Sequence, residues 1–179
     1  EVYYGLDCQM LLYLFTLERN GGHLFSQGTA AGVEYLWADP APENIIRPET
    51  DDAEPLQAQN YPLEGLLLDE PSIYHAMDTR GTGAFVPLSF SAKTGEPTAQ
   101  SAKTRLADRE KFNRIRDHLD GMLTDMAKNL YSGEIDAAPL VPNAGKSPCL
   151  WCEYRTVCRH ADGEGERTPL KPDDPFGAE

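Results

Sequence analysis

The chain has 179 residues, 40% of them apolar and 25% charged, with a formal net charge of −13. That length supports one domain with a core of its own, and the composition is that of a globular protein. No apolar run approaches the roughly 18 residues of a membrane span, and the net acidity weighs against a surface that grips nucleic acid on all sides.

The chain opens "EVYYGLDCQM", without an initiator Met, a basic leader or a signal-like apolar stretch, so it reads as a piece of something longer or as a processed chain. The first element, "GLDCQMLLYLFTLERNGG", is a helix. Asp7 is placed to cap its start, and Gly21-Gly22 ends it. Leu6, Met10, Leu14 and Leu17, widened by Leu11 and Phe15, form its apolar stripe, while Gln9, Tyr13, Thr16 and Asn20 form the opposite one.

"AGVEYLWA" follows as a strand with Val33, Tyr35 and Trp37 pointing one way. The next segment, "DPAPENIIRPETDDAEPLQAQNYP", holds five prolines and many acids and reads as a long acidic loop over about 40–62. "LEGLLLD" resumes as a strand and "PSIYHAMDT" as a short helix. "AFVPLSFSAKTGEPTAQSAKTRLA" reads as two strands around a turn at "KTGEP". In the long element "DREKFNRIRDHLDGMLTDMAKNLYSG", residues Phe112, Ile115, Leu119, Met122, Met126 and Leu130 recur at helical spacing before Ser132-Gly133 closes it. A Pro-rich bridge leads to "SPCLWCEYRTVCRH", and residues 161–179 read as a flexible tail. The order is that of a mixed α/β domain that lacks its beginning.

Charge is segregated. Residues 34–78 hold eleven Asp/Glu and one basic residue, Arg47, whereas residues 80–116 hold eight Lys/Arg against Glu96, Asp108 and Glu110. Such a split suits a polyanion held on one side, and a solvated surface of mixed sign accounts for it equally well. Lys103, Arg105 and Arg109 are the candidate DNA contacts within the basic segment.

Cys149, Cys152 and Cys158 fall within ten residues. Thiolates at this spacing converge on a soft centre, zinc or an iron–sulfur cluster, in preference to a hard cation. They also fit a reduced, cytosolic compartment better than a disulfide framework. A fourth ligand from within the chain would be His160 or Cys8. His160 lies only two positions past Cys158, which makes convergence awkward, and Cys8 reads as an ordinary helix cysteine. His23, His75 and His118 have no partner at ligand spacing.

Gln9 and Tyr13, at i and i+4, share a helix face. Alone they are the wetter side of an amphipathic helix. Together with the cysteine trio, and with the phrases "YYGLDCQMLLYL", "AGVEYLW", "GLLLDEPSIYHAMD" and "CLWCEYRTVCRH" in that order, the chain resembles the RecB-like branch of the PD-(D/E)XK nucleases, and most of all the AddB-type carboxy-terminal nuclease domains of bacterial ATP-dependent helicase–nucleases.

That resemblance implies a restriction-endonuclease-like α/β fold, a mixed sheet with flanking helices, over residues 1–147, followed by a cluster-binding segment at 148–160. It implies Mg²⁺-dependent cleavage of DNA in the intact parent, with DNA and the AddA-type helicase–nuclease protein as partners and no membrane. Gln9 and Tyr13 would be auxiliary residues that orient DNA. Cys149, Cys152 and Cys158 would be three ligands of a four-iron, four-sulfur (4Fe-4S) cluster whose fourth ligand lies upstream.

One departure stands out. The family's metal site uses an Asp and then an acidic residue two before a Lys. Here Lys93, Lys103, Lys111, Lys128, Lys146 and Lys171 follow Ser91, Ser101, Arg109, Met126, Ala144 and Pro169 at that offset. The expectation is a fragment that begins just after the metal motif and is inactive alone, binding zinc or no metal when isolated. The alternative is a non-catalytic zinc-binding interaction or DNA-binding module, with Cys149, Cys152, Cys158 and His160 around the ion.

Overall fold

The structure, a computed structural model, describes residues 2–23, 28–36, 63–141, 147–158, 160, 165–169 and 175–177. The expected acidic loop lies outside the described residues, as does Trp37. Contacts divide the chain into two units, residues 9–113 and residues 1–8 with 114–179.

The first unit opens with α1 (Gln9–Asn20), which ends in a single 3-10 turn at Gly21–His23. Asp7 does not cap this helix. It adopts a left-handed backbone with φ 55°, a conformation that Asp tolerates but that differs from the extended one an N-cap requires. The buried face is Leu11 and Phe15, with Met10 and Leu14 half-buried and Leu17 53% exposed. The apolar face is therefore narrower than the stripe of the sequence and rotated away from Leu17.

Three strands form one mixed sheet in the order β1-β2-β3. β1 (Gly32–Leu36) runs antiparallel to β2 (Leu63–Leu68), with Val33 opposite Leu66 and Glu34 opposite Gly65. A side chain at Gly65 would collide with the Val33 carbonyl, so glycine lets the two strands close here. β3 (Leu106–Ala107) lies parallel to β2, pairing Leu67 with Leu106. Parallel neighbours need a crossover, and α2 (Pro71–Met77) and α3 (Ala99–Arg105) supply its helical parts.

Neither expected strand of the hairpin forms: residues 84–91 carry no strand beyond an isolated bridge at Phe90, and the second strand is in fact α3. The KTGEP turn forms, with Ser91 N–H on the Glu96 carbonyl, but strand pairing there is limited to one bridge between Phe90 and Pro97. Thr98 then caps a helix through a hydrogen bond from the Ser101 amide at 3.3 Å. Residues "AQSAKTR" are mostly good helix formers without period-2 alternation, so a capped helix is the better local solution.

Leu67, Tyr74, Val86, Leu88 and Leu106 make the core of this unit, with Phe90 and Ala102 packed on it. Phe15 and Phe112 meet edge to face at 6.5 Å.

α4 (Arg109–Ser132) starts on Asp108, whose carboxylate accepts the Lys111 amide at 2.7 Å. It ends at Gly133, φ 79°, as the glycine signal required. Phe112, Ile115 and Leu119 of its stripe are buried, whereas Met126 and Leu130 are 55% and 74% exposed.

In the second unit, His118 of α4 stacks on Tyr3 at 4.9 Å, and its Nε2 hydrogen-bonds the Tyr3 carbonyl at 2.9 Å. Phe176 packs edge-on against both rings, and its carbonyl accepts from Arg114 Nε at 2.7 Å. Arg167 pairs with the 138–141 segment through three hydrogen bonds, from its own N–H to Pro139, from Val141 N–H to its carbonyl, and from its Nε to Ala138. Both described stretches of the segment after residue 160 that carry these residues are thus tied to the rest of their unit.

Candidate functional site

The expected DNA-orienting pair lies on the exposed side of α1, where Gln9 Nε2 donates to Tyr13 Oη at 2.9 Å. One helical turn separates them, so the backbone sets this contact before any tertiary packing acts. The pair presents an amide oxygen and a phenol to solvent beside Thr16 and Asn20, which are exposed as well. It offers hydrogen bonds and no charge.

The three basic candidates differ in how they are used. Arg109 Nη1 donates to the Ala30 carbonyl at 3.1 Å and lies 3.8 Å from Glu18, whose carboxylate accepts the Ala30 amide at 2.8 Å. Its guanidinium is committed to holding the start of β1 between α1 and α4. Lys103 is exposed and Arg105 half-buried, and neither side chain has a hydrogen-bond or ion-pair partner among the described residues.

In the cysteine segment, Ser147 is buried and accepts the Cys149 amide at 3.3 Å, which caps a 3-10 turn over Pro148–Trp151. Cys152 follows at the turn's end, and Cys158 closes α5 (Arg155–Cys158) with its amide on the Tyr154 carbonyl at 2.8 Å. All three thiols are free of disulfides, Cys149 half-buried and Cys152 and Cys158 exposed. Accessible thiols in this number suit a soft centre. Among the described residues, however, no three His, Cys, Asp or Glu side chains converge on one point. His160 Nε2 is buried and has no hydrogen-bond partner among the described residues.

Cys8 is a different kind of cysteine. It is buried with its thiol toward the Val2 and Leu6 carbonyls at 3.7 and 3.5 Å. Burial and then the Asp7 charge push its thiol up. Such a thiol resists ionisation and is a poor nucleophile or ligand.

Two carboxylates that the sequence did not single out carry unusual environments. Asp78 is 1% exposed, and its carboxylate accepts from Gly83 N at 2.7 Å, Arg80 N at 3.2 Å, Ala84 N at 3.2 Å and Thr82 Oγ1 at 3.1 Å. Burial raises its carboxyl, but these donors outweigh it and leave it below the ordinary Asp value. The signal was present in "DTRGTG", where Gly81 and Gly83 adopt φ 61° and 76° around the cage. Glu34, on β1, has a buried Oε1 with no partner among the described residues, and burial pushes its carboxyl up. Strand alternation alone predicted that it would face away from Val33, not that one of its carboxylate oxygens would be buried.

No helix among the described residues is long and apolar enough to cross a membrane. The family model of the PD-(D/E)XK nuclease superfamily matches residues 1–159. The chain is 29% identical over 166 residues to the ATP-dependent helicase/deoxyribonuclease B-subunit of Exiguobacterium sibiricum, an overlap of 89% of this chain and 14% of that protein. It is 30% identical over 166 residues to the protein of the same name from Thermoanaerobacter sp. (strain X514), with the same shares covered. Identity to the corresponding Clostridium botulinum (strain Loch Maree / Type A3) protein is 27% over 163 residues. The chain thus spans 14% of the length of these relatives. With a mixed sheet flanked by helices and a match over nearly its whole length, the chain belongs to the PD-(D/E)XK nuclease superfamily.

Proposed function

We propose that this chain is part of the nuclease portion of a bacterial helicase–nuclease that processes double-strand DNA ends for recombinational repair in the cytoplasm, with DNA and an AddA-type protein as partners. The observation that carries the reading is the exposed Gln9–Tyr13 pair on α1, within a chain whose residues 1–159 match a nuclease family. The names of the helicase/deoxyribonuclease relatives supply the machine.

Gln9 and Tyr13 orient the DNA strand in this reading. The amide and phenol can exchange hydrogen bonds with sugar and phosphate oxygens, and their mutual contact holds both in register before the strand arrives. In the intact nuclease a bound Mg²⁺ would supply an activated water and a Lewis acid. The residues present do not fit such a metal site, since no acidic residue stands two before any lysine. The chain alone is therefore inactive.

A 4Fe-4S cluster would be held by Cys149, Cys152 and Cys158, which fit it in donor chemistry, and would tie this segment to the body of the nuclease. The second reading is a zinc site completed by His160, favoured by its buried, unpartnered Nε2 among the described residues. Metal analysis of anaerobically purified protein separates the two: iron with sulfide supports the cluster, and stoichiometric zinc in a colourless protein supports the rival. For the nuclease reading, linear DNA with Mg²⁺ should survive incubation with this chain and be degraded by the longer parent. Degradation by the chain itself at the parent's rate would refute the proposed division of the site.

A further inference from the structure

Between α3 and the loop that follows Asp78 lies a groove of about 340 Å³, lined chiefly by polar groups, among them Ser89, Thr98, Gln100, Ser101, Thr104 and Arg105. Most of these groups are already satisfied internally. Ser101 Oγ accepts the Ser89 amide at 3.0 Å, Thr98 Oγ1 accepts the Ser101 amide at 3.3 Å, and Thr104 Oγ1 donates to the Gln100 carbonyl at 2.9 Å. These bonds lock helix and loop together, so the wall is preorganised. The opposite rim is fixed by the Asp78 cage, and at Gly83 a Cβ would sit 2.5 Å from the Leu88 carbonyl oxygen.

Two groups are left over. The Gln100 carboxamide and the Arg105 guanidinium have no partner among the described residues. Arg105 is half-buried, and no carboxylate among the described residues lines the groove. A partly desolvated guanidinium without a counter-ion among the described residues, lining the same groove as a carboxamide that is also without a partner there, is a receptor for a planar or tetrahedral oxyanion. The volume exceeds the need of a bare phosphate ion and falls in the range of ligand sites. Lys103, two positions away on α3, stands on another side of the helix and adds no charge to the groove itself.

We propose that this groove takes a phosphodiester of single-stranded DNA, with Arg105 as the charged anchor and Gln100 as a second, uncharged contact in the same groove. The inference rests on the nuclease reading for the identity of the polyanion, and on the groove alone for the position.

The test is fluorescence anisotropy of a dye-labelled oligothymidylate with the full chain at low salt. Arg105→Gln should weaken binding by about tenfold and lower the salt dependence by about one counter-ion. Gln100→Glu, an exposed substitution that leaves the backbone bonds intact, should weaken binding by a similar factor. Lys128→Gln, whose parent lysine pairs with Asp125 on α4, should bind as the unchanged chain does. Equal thermal midpoints would show that all variants are folded. Undiminished binding by both groove variants, or no binding by the unchanged chain, overturns the proposal, as does full displacement of the strand by equimolar inorganic phosphate. Failure of the nuclease reading appears separately, as absence of Mg²⁺-dependent cleavage by the longer parent.

Discussion

Asp78 and Gly83 are joined by a 2.7 Å hydrogen bond from the glycine amide to the buried carboxylate. The loop between them turns around that bond, and the same carboxylate holds Arg80, Thr82 and Ala84. Asp78→Ala would leave several donors unpaired and should cost roughly 3 kcal/mol in urea denaturation. The sign with pH follows from the depressed carboxyl. Its contribution is complete above the ordinary Asp value and disappears as pH falls through the lower folded value. The unchanged chain should therefore lose stability steeply in acid, and the variant less so. Identical acid profiles would remove Asp78 from the account.

Glu34 predicts the opposite trend. Burial raises its carboxyl, so the charged form is disfavoured in the folded chain. The neutral form stabilises fully below the ordinary Glu value, and that advantage is lost as pH rises through the higher folded value. Glu34→Gln should raise stability at neutral pH and change little in acid. A thermal-melt series across pH measures both arms, and a destabilised Gln variant at neutral pH would mean that Glu34 has a cationic partner.

Gln9→Ala in the longer parent should lower DNA cleavage by about tenfold while leaving the thermal midpoint of the domain within error. An exposed surface substitution of this kind costs little stability, so a parallel loss of both would make Gln9 a packing residue. Tyr13→Phe removes only the phenolic oxygen of the pair and should act in the same direction.

Cys152→Ser, also in the longer parent, should release bound iron and speed limited proteolysis of the nuclease portion. The thiol is exposed here and carries no packing load, so altered digestion with unaltered iron content would point away from a ligand role.

What could be read from the sequence was what local chemistry decides. Gly21-Gly22 ended α1, Gly133 ended α4 where a left-handed backbone was needed, and Pro71 opened α2 at a position that lacks an amide requirement. The i, i+4 spacing of Gln9 and Tyr13 made them neighbours without knowledge of the fold. Long-range chemistry was not legible. The Arg109–Glu18 contact joins residues distant in sequence, and the burial of Glu34 Oε1 depends on tertiary packing that strand alternation does not encode. β3, two residues long, exists only because β2 is there to receive it. The hairpin was misassigned because the β-branched and aromatic content of "FVPLSF" reads as a strand, whereas only Phe90 makes a bridge there, and because Thr98 and the alanines beyond it favour a capped helix.

Tyr3 and Phe176 stand 5.8 Å apart, ring to ring, against the same histidine. The imidazole of His118 thus seats two aromatic rings that lie far apart in sequence, and its removal would unseat both of the segments that carry them.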